Sequence, residues 1–378
     1  MKKTGPRFSW LGLACALLLI AFPTHIFAEA RSPSVTFVSP SKSSKRPFWN
    51  DFIAFMKVAA KNLRINLTVH EADNRFEVND IVRKTLFSPA RPDYLVHIYQ
   101  ANTTIATLNM VHDAGVKTLI VNTDVVDNER AMAGAPRGIY PSWIGHLYPD
   151  DTAAGRMLAK RLIHKAKQMH LRGADGKIHI VGLGGNLTAT SSLHRKAGLF
   201  EAVTEEPDVV VDQFVLAYWE RKIAHDKTTK LLSLYPEAKV FWAINDHTAT
   251  GVLDAMGETC AMPGKDILTG GIDWSPRCVE KVLDGSMVTT IGGHFMEGAW
   301  ALILLLDYHN GHDFAQPTPT LNSEMRIIDS DTADKFLPVL DRDNWPSIDF
   351  RQLSKTYNPE LEQYDFSPDA VARQLSAQ

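Results

Sequence analysis

Residues 35–63 read VTFVSPSKSSKRPFWNDFIAFMKVAAKNL. Val35 to Val38 is a short apolar run rich in β-branched side chains and bounded by Ser39-Pro40, which reads as a buried strand. Pro47 sits where a helix tolerates proline, in the first turn, and the helix it opens runs to about Leu63. A strand feeding a helix is half of a βαβ unit, and the same alternation continues downstream. Strands are expected at 67–69, 94–98 and 119–121, with helices at about 78–87 and at 104–113. Residues 124–143, with Gly134, Pro136, Gly138 and Pro141, read as a long surface loop. A helix over 151–169 restarts the rhythm. A second series follows, with strands at 178–181, 209–211, 240–242 and 267–269 and helices opening at Ser192, Arg221 and Asp246. A helix at 276–283, a strand at 288–291 and a helix at 296–308 close it. The apolar run 301–306 is far too short for a membrane span and reads as a buried helix. Two such series predict an α/β protein of two lobes, each built on a mostly parallel sheet.

The bulk numbers agree with a core of that size. The chain has 378 residues, 45% of them hydrophobic and 22% charged, which suits two domains rather than one. A formal net charge of −3 gives no electrostatic case for a nucleic-acid partner. Lys2, Lys3 and Arg7 form a basic head, residues 10–22 an apolar stretch, and Ala28-Glu29-Ala30 a small-residue cleavage site. Residues 1–30 are therefore expected to be a secretory signal, removed after Ala28 or Ala30. Gly12-Leu13-Ala14 ahead of Cys15 does not match a lipoprotein ending, so the expected location is the periplasm, unanchored. Cys260 and Cys278 remain after cleavage. They either pair, closing a loop worth about 3 kcal/mol, or stay as two thiols; the sequence leaves both open.

Open α/β sheets bind ligands where loops converge at the carboxyl ends of their strands. Phe48 and Trp49 follow the first strand, Asn122 the fourth, and Trp219, Asn245 and Asp273 later ones, while Arg195 lies in the helix after 178–181. Flat rings cover the apolar faces of a small polyhydroxylated ring, and a few polar arms take its hydroxyls. Consecutive helix positions cannot both face one core, so at least one of Phe48 and Trp49 is expected to line a pocket. One of Asn245 and Asp246 suffices to cap the next helix, leaving the other for ligand. Ser275-Pro276 supplies the start of the helix after Asp273, which frees Asp273 from capping. Arg195 reads equally as a surface ion pair or as a fork for hydroxyls or a carboxylate.

Gly182-Leu183-Gly184-Gly185-Asn186-Leu187 begins like a dinucleotide fingerprint but has Leu187 at the third glycine position, so no such cofactor is expected. Fourteen histidines raise the question of metal; His164 with His170, or His309 with His312, lack a tetrahedral companion set, and no metal is expected. No nucleophile elbow and no paired-carboxylate set is evident, so the expected activity is capture rather than catalysis.

Over roughly residues 33–328 the chain resembles the type I periplasmic binding proteins of ABC transporters, in the pentose-and-hexose group. The resemblance rests on Val38-Ser39-Pro40 leading to Pro47-Phe48-Trp49, Val121-Asn122-Thr123, residues 149–155, Arg195 before Gly198, residues 242–246, Gly271-Ile272-Asp273 and residues 289–293. It implies two Rossmann-like lobes joined by a three-strand hinge. Phe48 and Trp49 would stack on a sugar from one lobe and Trp219 from the other, with Arg195, Asn245 and Asp273 on the hydroxyls. Asn122 stands where ribose binders carry an acid, Thr123 where they carry an arginine and Gly293 where they carry an amide, so ribose itself is not the implied ligand. Residues 31–148 and 294–322 are expected to form the N-terminal lobe, and 149–293 with 323–345 the C-terminal lobe. Residues 346–378 would be an extension packed over a lobe. The implied partners are a sugar or polyol and a membrane ABC permease, with the protein a monomer. The stretch 124–143 is also similar to quorum-sensing periplasmic receptors for a furanosyl borate signal, which leaves a sensory co-receptor on a membrane kinase or cyclase as the alternative.

Overall fold

The computed structural model describes residues 1, 2, 5 and 32–376; the apolar run and cleavage site of the expected signal lie outside them. The chain runs β1 (Ser34–Ser39), α1 (Pro47–Leu63), β2 (Asn66–Glu71), α2 (Arg75–Leu86), β3 (Tyr94–Ile98), α3 (Thr104–Asp113), β4 (Lys117–Val121), α4 (Asp127–Ala133) and β5 (Trp143–Pro149). It continues through α5 (Asp151–Gln168), β6 (Ile178–Gly184), α6 (Thr190–Thr204), β7 (Val209–Leu216), α7 (Arg221–Leu234), β8 (Ala238–Ala243), α8 (Asp246–Gly257), β9 (Leu268–Ile272), α9 (Pro276–Leu283) and β10 (Thr289–Gly292). The remainder is α10 (Glu297–His309), β11 (Thr320–Ser323), β12 (Arg326–Ile328), α11 (Ala333–Leu340) and α12 (Pro368–Ser376), with short 3₁₀ turns at His294–Met296, Arg342–Ser347 and Phe350–Leu353.

These strands make two six-stranded sheets. The first has the order β11-β5-β4-β3-β1-β2 and is parallel throughout. The second has the order β12-β10-β9-β8-β6-β7 and is parallel except where β12 pairs antiparallel with β10. The chain passes between the sheets three times: from β5 into α5, from β10 into α10, and from β11 to β12. This is the two-lobed α/β architecture expected from the alternation, with helices packed on the sheets.

Three expectations fail locally. Residues 127–133 form α4 inside the expected loop; Asp127 and Glu129 in its first turn favour it, but seven residues are too few to show a period. Residues 143–149 form a strand, which Gly145, His146 and Pro149 disguise by breaking the apolar run. No elements were expected in residues 309–376, where β11, β12, α11 and α12 occur. The helix over 297–309 is buried from Glu297 to Asp307, as an all-apolar pattern requires. It packs with Phe52, Phe55, Met56 and Ala59 of α1 in one core. The Phe55 ring also meets Trp345 at 5.0 Å and Phe350 at 5.4 Å, so the C-terminal stretch covers the outer side of that core. Among the described residues no helix is long and apolar enough to cross a membrane.

Candidate functional site

The carboxyl ends of β1, β3 and β4 in one sheet, and of β6, β7, β8, β9 and β10 in the other, face a single cavity of about 710 Å³. Phe48, Trp49, Asn122, Arg195, Trp219, Asn245 and Asp273 all line it. The structure therefore brings the seven candidates together, three from the first lobe and four from the second.

The aromatic wall begins at the first turn of α1. Trp49 anchors backwards, its ring 5.3 Å from Phe52 and 6.4 Å from Phe37 of β1. Phe48 meets Trp49 edge-on at 5.0 Å and stacks on His294 at 4.6 Å. Both rings line the cavity while touching the core, because the helix starts at the sheet's rim, where core and cavity adjoin. Trp219 is held from the other side by an unusual turn, with Tyr218 at φ 54° and Trp219 at φ 63°. Its indole lies on Gly185, where a Cβ would stand 2.3 Å from the ring. Arg46 reaches across the cleft: Nη1 donates to the Trp219 carbonyl at 2.6 Å and Nη2 to Glu220. The cleft is thus described with its walls in contact.

The polar side centres on Arg195, which is buried rather than paired on the surface. Its Nε donates to Asp151 at 2.7 Å, Nη1 to the Ile244 carbonyl at 3.2 Å, and Nη2 to Nε2 of His294 at 3.3 Å. Asp273 lies 3.7 Å from Nη1. α6 can place this guanidinium because it approaches α5 closely: a Cβ on Gly198 would lie 2.1 Å from the Thr152 carbonyl oxygen. Asn245 caps α8 by accepting from Thr248 N at 3.0 Å and also donates from Nδ2 to Asp273 at 3.1 Å. Asp246 is not the residue left over for ligand; it accepts from Ser275 N at 2.7 Å, Ser275 Oγ at 2.9 Å and Thr290 Oγ1 at 2.7 Å. Asn245 both caps α8 and reaches Asp273 on the cavity wall, and Asp246 ties three strand ends together. Asn122, at φ 70°, donates from Nδ2 to Glu297 at 3.1 Å.

Four carboxyls surround one guanidinium, and burial raises all of them. Asp246 is pushed up to about 6 and Glu297 to about 8. Burial also lifts Asp151, and it lifts Asp273 well above the carboxylate range, with Arg195 opposing in each case. Burial lowers His294 well below its usual value, so its ring is neutral and Nε2 accepts from Arg195. Glu297, pushed up to about 8, can donate as well as accept, and it stands behind Asn122 rather than on the cavity wall. A wall of rings, amides and a buried guanidinium–carboxylate cluster suits a ligand rich in hydroxyls.

Sequence reasoning missed His294, Arg46 and Glu297. His294 lies two residues past the end of β10, so the strand-end rule alone would have found it. Arg46 precedes α1 and Glu297 opens an otherwise apolar helix; their partners lie 174 and 175 residues away in sequence, and no local signal marks them. Cys260 is exposed, Cys278 is buried, and both are free thiols.

Comparison with known proteins adds a family. Residues 35–313 match the model of the periplasmic binding protein domain. The chain is similar to the D-allose-binding periplasmic protein of Escherichia coli (strain K12), 24% identical over 298 residues that cover 77% of this chain and 88% of that protein. A shorter match, 27% identical over 142 residues, covers 37% of this chain and 44% of the galactofuranose-binding protein of the same organism. Among solved structures, a periplasmic sugar-binding protein from Pseudomonas fluorescens superposes with a TM-score of 0.78 at 27% identity, covering 91% of this chain and 99% of that one.

Proposed function

The chain belongs to the periplasmic binding protein family, and on that premise we propose that it captures a sugar or sugar-like polyol between its lobes and delivers it to an ABC permease. Relatives named for allose and galactofuranose support the ligand class. The observation that carries the reading is the cavity wall itself: rings and buried hydrogen-bonding groups from both sheets converge on one space.

In this reading Phe48, Trp49 and Trp219 cover the apolar faces of the sugar ring. Arg195, Asn245, Asp273 and Asn122 take its hydroxyls. The lobes are residues 31–148 with 294–322 and residues 149–293 with 323–345, hinged at the three passages between sheets. Contacts from both walls form together only in the closed state, so ligand shifts the hinge equilibrium towards it. The monomeric closed form in the periplasm is what the permease reads. The protein binds its ligand and does not transform it. The sensory alternative is set aside, because the relatives named above are sugar-binding proteins.

Calorimetry against a panel of neutral sugars and polyols, including allose and galactose, tests the proposal. At least one is expected to bind, and Trp219→Ala is expected to weaken that binding about tenfold or more, roughly 1.4 kcal/mol. Absence of heat with the whole panel, together with an intrinsic fluorescence that no sugar changes, rejects it.

A further inference from the structure

The second lobe carries a side-chain cluster unrelated to the cleft. His179 is the second residue of β6, Asp212 lies on β7, Glu237 immediately precedes β8, and Asp175 belongs to the turn leading into β6. His179, Asp175 and Glu237 therefore sit at the amino end of this sheet, whereas the cavity lies at the carboxyl end. We propose that His179 Nε2, Asp175 and Glu237 form a site for one divalent cation of the zinc type, with Asp212 orienting the imidazole from behind.

The geometry fits. Nε2 of His179 lies 3.0 Å from Asp175 Oδ1 and 3.7 Å from Glu237 Oε2. All three donor atoms fall within 4.8 Å of one another. Ligands 2.0–2.1 Å from a tetrahedral zinc are about 3.4 Å apart, between the two distances observed from Nε2. Nδ1 of His179 donates to Asp212, whose two oxygens are 2.9 and 3.1 Å away. Without a cation Nε2 donates to Asp175 at 3.0 Å; with Nδ1–H held by Asp212, release of the Nε2 proton turns that lone pair to a cation, the outer-sphere arrangement that accompanies metal-bound imidazoles.

Charge points the same way. Among the described residues no Lys or Arg nitrogen lies within 4.0 Å of Asp175, Asp212 or Glu237; each is paired with His179 alone. Three carboxylates thus face one imidazole, and a divalent cation offsets the excess. The backbone is fitted to the cluster as well. A Cβ on Gly173 would stand 2.4 Å from Glu237 Oε2 and 2.7 Å from His179 Nε2, so the absence of a side chain there lets the turn lie close over these atoms. Ala174 N and Lys177 N donate to Glu237 and Asp175 at 3.2 and 2.9 Å, orienting both carboxylates. The histidine pairs weighed from sequence lacked companions; here they come from β7, from the preceding turn and from the loop before β8, at 33, 4 and 58 positions from His179. A cation at this point fastens the start of β6 to the loop before β8.

The test uses full-length mature protein without an affinity tag, dialysed against Zn²⁺ and then analysed for metal. One zinc per chain is expected, with a rise in melting temperature on loading, since the folded state alone presents the three donors together. Glu237→Gln and His179→Gln should each lose the retained zinc, and Asp212→Asn should weaken it by roughly 10–100-fold. Melting curves in the absence of zinc confirm that the variants fold. Less than one zinc per chain, or full retention in both Glu237→Gln and His179→Gln, overturns the proposal.

Discussion

Glu297 shows what a single buried side chain can impose. Its carboxyl titrates at about 8, against an ordinary value of 4.5, because burial penalises the charged form. Between those two values the folded chain keeps a proton that the unfolded chain has released, so stability falls as pH rises through the window. Asp246, raised to about 6, adds to the lower part of the same slope. Glu297→Gln keeps the shape but abolishes the titration. Its melting temperature should drop less than that of the parent between pH 5 and pH 8.5; parallel losses would contradict the assignment. Glu297 also shows why some of the site was hidden in the sequence. Six of the seven candidates lie just after strands, which are local features, whereas Glu297 owes its raised value to burial at a point where Asn122 and Ser323, at the ends of two strands of the first sheet, meet it.

At the level of elements, the clearest sequence signals were those with their own punctuation. Pro47 and Pro276 fixed the starts of α1 and α9, and both helices end where the pattern ends. β3 and α3 likewise occupy the expected residues. Strand β5 escaped because Gly145, His146 and Pro149 interrupt it, and β11 and β12 because strands of four and three residues show no period. What the alternation could not show is how closely helices approach. α5 and α6 meet backbone to backbone at Gly198, with the Arg156 amide nitrogen 2.6 Å from where a Cβ would lie. Gly198→Ala should therefore cost about 1–3 kcal/mol, despite alanine's better helix propensity, because the obstruction is backbone and cannot rotate away. Urea unfolding measures it, and a variant as stable as the parent would show that the helices can part without loss.

On the scale of the molecule, the contact between the lobes rests partly on Arg46, a residue of one lobe held by the carbonyl and carboxylate of two residues in the other. Both partners of the Arg46–Glu220 pair are partly exposed, so the ion pair is worth about 0.5–1 kcal/mol. Arg46→Ala should weaken sugar binding by roughly two- to fivefold, while small-angle scattering of the unliganded protein shifts to a larger radius. Unchanged affinity and radius would mean that the ring wall alone sets the closed state. Two lobes were legible from the alternation; that residues 294–322 belong to the first was implied only by the family resemblance, because β11 carries no signal of its partner β5. That detail has a temporal side. Helix α10 and edge strand β11 enter the first lobe only after every helix-linked strand of the second has been spelled out. A polypeptide emerging from its amino end cannot finish its earlier half in isolation: until residue 323 arrives, β5 keeps a bare rim and α1 lies without its covering helix. Completion of the first half waits for nearly the whole thread, and such long separations in sequence slow its folding.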